Sequence, residues 1–315
     1  MPGASEGTVV AGIDGSGSAG RAAVWAAGEA ARRGLTLRLV HVYSVPPVRA
    51  PAVLPSAEAI RSGFEERGTD WLAEARDAVA RRYPDLAVET AVREGSPVAA
   101  LIHESRSATM IVLGSRGLGG FTGLMVGSTA VALAQHGHCP IVVARGKKPD
   151  DAPPETGPVV VGTDGSAWSD AALACAFDEA ASRGTDLIVV RVWNEIVDHG
   201  AFRAHPLAVD PAEIETAERK AAEEQLAPWR DRFPALPVET VVVRDRPVRA
   251  LLGFGARAQL LVVGSRGRGG FEGMVLGSTS QALVAHSECP VMVVRPAEAA
   301  TGVAEAKATY REEER

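Results

Sequence analysis

What most constrains this chain is that it states one pattern twice, 150 residues apart. The segment from Val112, VLGSRGLGGFTGLMVGSTAVALAQHGHCPIVVAR, aligns without a gap on that from Val262, VVGSRGRGGFEGMVLGSTSQALVAHSECPVMVVR, and 19 of the 34 positions are identical. The two openings match at the same offset: VVAGIDGSGSA from Val9 and VVVGTDGSAWS from Val159. A unit this long is far beyond a solenoid repeat. It is the size of a complete domain, so the chain reads as a tandem duplication, and what one half binds the other is placed to bind as well.

The 315 residues suffice for two domains that each bury a core. Hydrophobic residues at 46% and charged residues at 23% are a globular balance. A net charge of -6 argues against DNA or RNA as partner, because phosphate backbones need a basic face. It leaves room for a local basic pocket around one small anion. Cys139, Cys175 and Cys289 do not suggest a disulfide framework. Cys139 and Cys289 occupy the same place in the two repeats, before Pro and a Val-rich run, and read as small buried hydrophobes. The start MPGASEGTVV has neither a basic region nor a long apolar run, so it does not read as a signal peptide. Without a stretch of about 18 apolar residues, no membrane span and no membrane partner are expected. A cytoplasmic location follows as the expectation.

Each half alternates short apolar runs with longer helical patterns. The first reads as strand Thr8–Ile13, helix Ala19–Arg33 ended by Gly34, strand Leu35–Tyr43, a proline-rich loop Ser44–Pro55, and a long helix to about Tyr83. Strand Leu86–Val92, a helix after Ser96-Pro97, strand Thr109–Leu113, a glycine-rich loop, a helix from Ser128 and strand Ile141–Ala144 follow. Leu72, Ala75, Val79 and Tyr83 mark the inner stripe of the long helix. The second half repeats the order, and its long helix, Pro211–Phe233, carries the stripe Ala222, Leu226, Trp229 and Phe233. The expected organisation is a first domain over 1–148, a proline-rich acidic linker over 149–158, a second domain over 159–296 and a flexible tail over 297–315. Strands alternating with helices imply a parallel sheet covered on both faces. Runs such as IVVA and LLVV are apolar throughout, as burial on two sides requires. Ligands of such sheets sit beyond the carboxyl ends of the strands, where strand order reverses.

The candidate chemistry lies at those ends. After the fourth strand come Gly114, Ser115, Arg116 and Gly117, then nine residues, then Gly127, Ser128 and Thr129 opening a helix. The second half has Gly264, Ser265, Arg266 and Gly267, the same nine-residue gap, then Gly277, Ser278 and Thr279. Glycines allow close backbone approach and positive φ. Successive main-chain N–H groups form an anion-binding concavity, and a helix N-terminus adds donors and partial positive charge. Ser128 and Thr129 would cap the helix or offer hydroxyls to a phosphate. The pattern is not a Walker A loop, since no Lys follows the glycines, nor a dinucleotide fingerprint, since it does not follow the first strand. After the first strand sits Asp14, with Asp164 as its mate; each could accept from a ribose hydroxyl or form an Asx-turn at the helix entry. Val42 and Val192, at the ends of the second strands, are either core or places where main-chain groups read the edge of a base. Arg116 and Arg266 either clamp phosphates or lie at a solvated surface or interface.

On these residues the chain resembles the universal stress proteins of the UspA-like, ATP-binding kind, in tandem form and most like those of actinobacteria. The resemblance runs from about Thr8 to Arg145 and from Val159 to Arg295, and both halves match the family's G-2x-G-9x-G-[ST] motif. It implies two tandem α/β/α sandwich domains, each a five-stranded parallel doubly wound sheet of the adenine nucleotide alpha hydrolase-like kind. It implies one ATP, with or without magnesium, around Asp14, Val42, Gly114, Gly117, Gly127, Ser128 and Thr129. A second would lie around Asp164, Val192, Gly264, Gly267, Gly277, Ser278 and Thr279. It also implies pairing through the last strand of a repeat, as a homodimer.

Four functions compete. A nucleotide-binding regulatory protein fits the intact motif. An ATPase or phosphotransferase needs a metal site and a group to orient the nucleophile, and no dedicated metal ligands or repeated base stand near the loop. His136 and His286 recur, but late in the following helix. At most slow hydrolysis is expected. An ATP pyrophosphatase would carry S-G-G-x-D-S where this chain has Asp-Gly-Ser. A nucleotide-free adaptor would not need the glycine motif.

Overall fold

In each unit, runs of four or five apolar residues become strands buried along nearly their whole length, because only a strand covered on both faces can use them. The computed structural model describes residues 7–45, 56–117, 127–148, 150–193, 210–268 and 276–296. The expected loop beyond residue 45, the equivalent segment from 194, most of both glycine-rich connections and the tail from 297 lie outside the described residues. The chain divides into two units, one reaching Pro153 and the other spanning Pro154–Val294.

The first unit contains β1 (Thr8–Gly12), α1 (Gly17–Arg33), β2 (Thr36–Tyr43), α2 (Ala57–Ala80), β3 (Val88–Glu94), α3 (Pro97–Glu104), β4 (Met110–Gly114), α4 (Ser128–His136) and β5 (Ile141–Ala144). Its sheet order is β3-β2-β1-β4-β5, and every pairing is parallel. Helices α1 and α2 pack together on one face, α3 and α4 on the other. The second unit contains β6 (Val159–Thr163), α5 (Ala167–Arg183), β7 (Leu187–Trp193), α6 (Pro211–Arg232), β8 (Val238–Arg244), α7 (Pro247–Gly255), β9 (Leu260–Gly264), α8 (Ser278–His286) and β10 (Val291–Val294). Its order, β8-β7-β6-β9-β10, is the same and again parallel. Each unit is thus a five-stranded doubly wound α/β/α sandwich. Strands β4, β5, β9 and β10 are buried along nearly their whole length, whereas β3, on the outside of the order, is half exposed.

Local rules set the element ends. Helix α1 starts at Gly17 rather than Ala19 because the Ser16 hydroxyl caps it, accepting from Ala19 N at 3.1 Å. It stops at Gly34 in the left-handed region (φ 65°), and Gly184 (φ 61°) ends α5 the same way. The long helix of the first unit ends at Ala80, so Tyr83 belongs to the turn beyond it. Strand β3 begins at Val88 because Leu86 is still in that turn, its N–H bonded to Tyr83 O at 3.2 Å. No described helix is long and apolar enough to cross a membrane.

The two cores are filled differently. Leu72, Ala75 and Val79 are buried, as are Ala222 and Leu226. The second unit places Phe177 where the first has Ala27, and packs it against Trp229 and Phe233 with centroids 5.7 and 5.5 Å away. The first unit fills the region with Tyr83, whose hydroxyl lies 2.9 Å from where a Cβ on Gly28 would stand. Phe177→Ala should therefore destabilise by about 3–5 kcal/mol, read from urea unfolding of the second unit's transition. Cys139 and Cys289 are buried and Cys175 is half-buried. Burial pushes the Cys139 thiol up to about 12. A disulfide thiol reagent should modify Cys175 first and reach Cys139 only as the protein unfolds, which stopped-flow absorbance with and without denaturant measures.

Candidate functional site

In each unit the strand order reverses between the first and fourth strands, β1 and β4 or β6 and β9, and a cleft opens beyond their carboxyl ends. The first cleft, about 740 Å³, is lined by Asp14, Val42, Gly114, Arg116, Gly117, Gly127, Ser128 and Thr129, together with Val40, Pro97, Leu101 and Leu113. The second, about 400 Å³, is lined by Asp164, Val192, Gly264, Arg266, Gly267, Gly277, Ser278 and Thr279, with Val190, Pro247, Leu251 and Val263. The structure thus brings all eight residues singled out in each half to one cavity. Both volumes suit a small-molecule site of apolar walls and a few convergent polar groups.

Each aspartate does two jobs. Asp14 Oδ1 accepts from Ser16 N at 3.0 Å, and Asp164 Oδ1 from Ser166 N at 3.0 Å, so both make the Asx-turn that enters the helix. The other oxygen faces the glycine loop: Asp14 Oδ2 lies 2.5 Å from where a Cβ on Gly117 would stand, and Asp164 Oδ2 the same from Gly267. In the second unit that oxygen also accepts from Arg268 N at 2.7 Å. Burial acts to raise the Asp164 carboxyl, but hydrogen bonds from the Ser166 hydroxyl and from the Arg268 and Ser166 amides outweigh it and hold the group below the usual carboxylate range.

Of the two roles expected of the motif glycines, close approach and positive φ, the second is met elsewhere. Positive φ occurs not at Gly114, Gly117, Gly127, Gly264, Gly267 or Gly277 but at Gly15 (φ 85°) and Gly165 (φ 77°), just after each aspartate. Gly114 is needed for packing: a Cβ there would meet Ala19 N at 2.8 Å, and one on Gly264 would meet Trp168 O at 2.7 Å. Gly117 and Gly267 make room for the carboxylates. Among the described residues nothing lies within 4 Å of where a Cβ on Gly127 would stand.

Of the two roles expected of the hydroxyl residues at the helix entry, the cap falls to glycine. The N-caps of α4 and α8 are Gly127 and Gly277, with no side-chain cap bond, so Ser128, Thr129, Ser278 and Thr279 sit inside the first turn and on the cleft wall. His136 and His286 close the far ends of those helices.

Val42 and Val192 line the clefts, and the ladder shows how. In a parallel pair, alternate residues of a strand turn their main-chain groups to opposite neighbours. Val40 O accepts from Ile13 N, so Val40 turns toward β1; Tyr43 O accepts from Gly95 N, on the β3 side. Val42 shares the parity of Val40, and β1 has ended by then. Its N–H and C=O therefore face the crevice. The same parity puts Val192 opposite Trp193, whose O accepts from Asp245 N on the β8 side. Both arginines line their clefts, with different partners: Arg116 Nη2 lies 3.6 Å from Asp150 Oδ1, whereas Arg266 lies over the Trp168 ring at 4.9 Å.

Sequence reasoning missed the apolar walls, Pro97 and Leu101 with Pro247 and Leu251. Their signal was present in the Pro-x-x-x-Leu spacing repeated at the start of α3 and α7.

A doubly wound parallel sheet whose switch point carries an aspartate, a glycine loop and a helix N-terminus places the chain in a class of α/β sandwich proteins. Within that class this chain belongs to the universal stress protein family, whose model matches residues 7–145 and 155–295. A universal stress protein of Mycobacterium tuberculosis strain H37Rv is 38% identical over 298 residues, covering 91% of this chain and 96% of the relative. One from Mycolicibacterium smegmatis is 37% identical over 297 residues, covering 93% and 98%. The crystal structure of a universal stress protein from Archaeoglobus fulgidus shares the fold, with a TM-score of 0.66 at 20% identity over 92% of this chain and 98% of that one.

Because Asp164 is held below its ordinary value of 3.8 in the folded protein, its stabilising contribution is complete above that pH. It fades as pH falls through the lowered folded value. Asp164→Asn should lower the urea midpoint at pH 7, and the gap from the unaltered protein should narrow on acidification below the ordinary value, as a pH series of unfolding curves measures.

Proposed function

We propose that this protein is an ATP-binding regulator of a stress response, with one adenine nucleotide held in each repeat. The observation that carries the reading is the convergence of the two sets of eight residues on two clefts built alike. In each, the apolar wall of Val40, Val42, Pro97 and Leu101, or of Val190, Val192, Pro247 and Leu251, suits the faces of a base. The main-chain groups of Val42 and Val192 suit its edge. The carboxylates of Asp14 and Asp164 suit a donating ribose hydroxyl. The glycine loop, the first turn of α4 or α8 and the arginine suit the phosphates. A magnesium ion accompanying the nucleotide would be held chiefly by the phosphates themselves. Occupancy would bias shape or assembly, a ligand-shifted equilibrium, with pairing of copies through a last strand, β5 or β10, and a cytoplasmic setting as parts of the same proposal.

Mass spectrometry of the small molecules released by denaturing freshly purified protein should find adenine nucleotide, and nucleotide-free protein would refute the reading when added ATP also fails to bind. A side chain at Gly117 or Gly267 displaces the facing aspartate, so Gly117→Val with Gly267→Val should abolish retention while circular dichroism stays native. Unchanged retention in that double variant would overturn the cradle assignment. Phosphate release followed over hours separates a regulator, with slow or no turnover, from an ATPase.

A further inference from the structure

We propose that the two clefts are unequal, and that the second is the tighter site for a nucleoside polyphosphate because its loop arginine is held by an aromatic ring rather than by a competing carboxylate. This rests on the nucleotide reading above and adds which repeat dominates, and why.

In the first cleft, Asp150 Oδ1 lies 3.6 Å from both Arg116 Nη2 and Arg21 Nη2. A phosphate entering there must take Arg116 from an anion already facing it. Asp150 belongs to the acidic stretch after the first repeat, and among the described residues no carboxylate pairs with Arg266. In the second cleft Arg266 lies over the face of Trp168, which stands where the first repeat has Ser18. A ring face steadies a guanidinium and leaves its N–H edge free to donate in plane to a phosphate. The buried Arg266 Nε meets no hydrogen-bond partner among the described residues, so an incoming oxygen would satisfy a donor now left without one.

The floors differ in the same sense. Ile13, Ala19, Gly20 and Ala75 of the first repeat are Thr163, Ser169, Asp170 and Gln225 in the second. There Thr163 Oγ1 donates to Gln225 Oε1 at 2.8 Å and Gln225 Nε2 donates to Asp170 Oδ1 at 2.5 Å. Thr163 and Ser169 line that cleft, beside an Asp164 fixed by the Ser166 hydroxyl at 2.6 Å. Groups fixed before the ligand arrives lose less freedom on binding.

Titration calorimetry with magnesium-ATP tests the proposal on the full chain. The unaltered protein should show two affinities. Arg266→Gln should weaken the tighter by more than Arg116→Gln weakens the looser. Asp150→Asn should tighten the looser site by about threefold to fivefold, the ceiling for an exposed ion pair. Trp168→Ser should weaken the tighter site by about twofold to fivefold, the range for an exposed cation–π contact. Two equal sites indifferent to Asp150→Asn and Trp168→Ser would overturn the inequality while leaving nucleotide binding intact. So would a tight site lost with Arg116 rather than Arg266. A protein that binds no ATP at all would overturn the nucleotide reading itself, and the inequality with it.

Discussion

Each unit depends on one close approach, between the end of the fourth strand and the first turn of the helix that follows the first. With no side chain at Gly114, the backbone at Ser18 and Ala19 comes within 2.8 Å of where a Cβ would be; Gly264 admits the backbone of Trp168 at 2.7 Å. That approach brings the Asx-turn of Asp14 or Asp164 against Gly117 or Gly267, and so joins two segments about 100 residues apart in sequence at one switch point. Strand order creates the crevice, and this contact fixes what lines it. A substitution at Gly114 would separate helix from strand before it touched any ligand.

Duplication has kept that contact and let the layers behind it diverge in matched sets. His41 on β2 sits against Gly68, whose missing Cβ would stand 2.3 Å from the ring; the second repeat has Arg191 and Glu218 at the same places, paired with each other. Arg191 is buried, and a buried guanidinium without its carboxylate would be strongly unfavourable, so the two positions can change only together. Trp71, close over Gly15 in the first repeat, has Ala221 as its counterpart, while Phe177, Trp229 and Phe233 fill the second core. One architecture therefore carries two interiors, each of which packs only with its own set. The cleft walls inherit the difference, since Ile13 and Ala19 have become Thr163 and Ser169.

The chain order of strands and helices was legible because its signals are local: apolar runs for buried strands, Ser16 and Ser166 at helix starts, Gly34 and Gly184 at their ends. The errors fell at element edges such as Tyr83 and Leu86, where a turn competes with helix and strand and no side-chain period distinguishes them. The residues of the candidate site were legible too, because duplication printed them twice in register. Their reasons were not. Of the two roles the motif glycines offer, close approach and positive φ, the second falls instead at Gly15 and Gly165, and of the two that Ser128 and Ser278 offer, the cap position goes to glycine.

By itself, then, the sequence determined that there are two α/β modules, the order of strands and helices in each, and which residue types stand near the strand ends, since these follow from repetition, periodicity and capping within short windows. Only the tertiary structure decided what those residues meet: that Val42 turns its main chain to the crevice because β1 stops short, that Asp14 shares its oxygens between a turn and a loop about 100 residues away, and that Arg116 meets a carboxylate where Arg266 meets a ring. Such pairings are set by where separate elements converge, and no local pattern encodes that convergence.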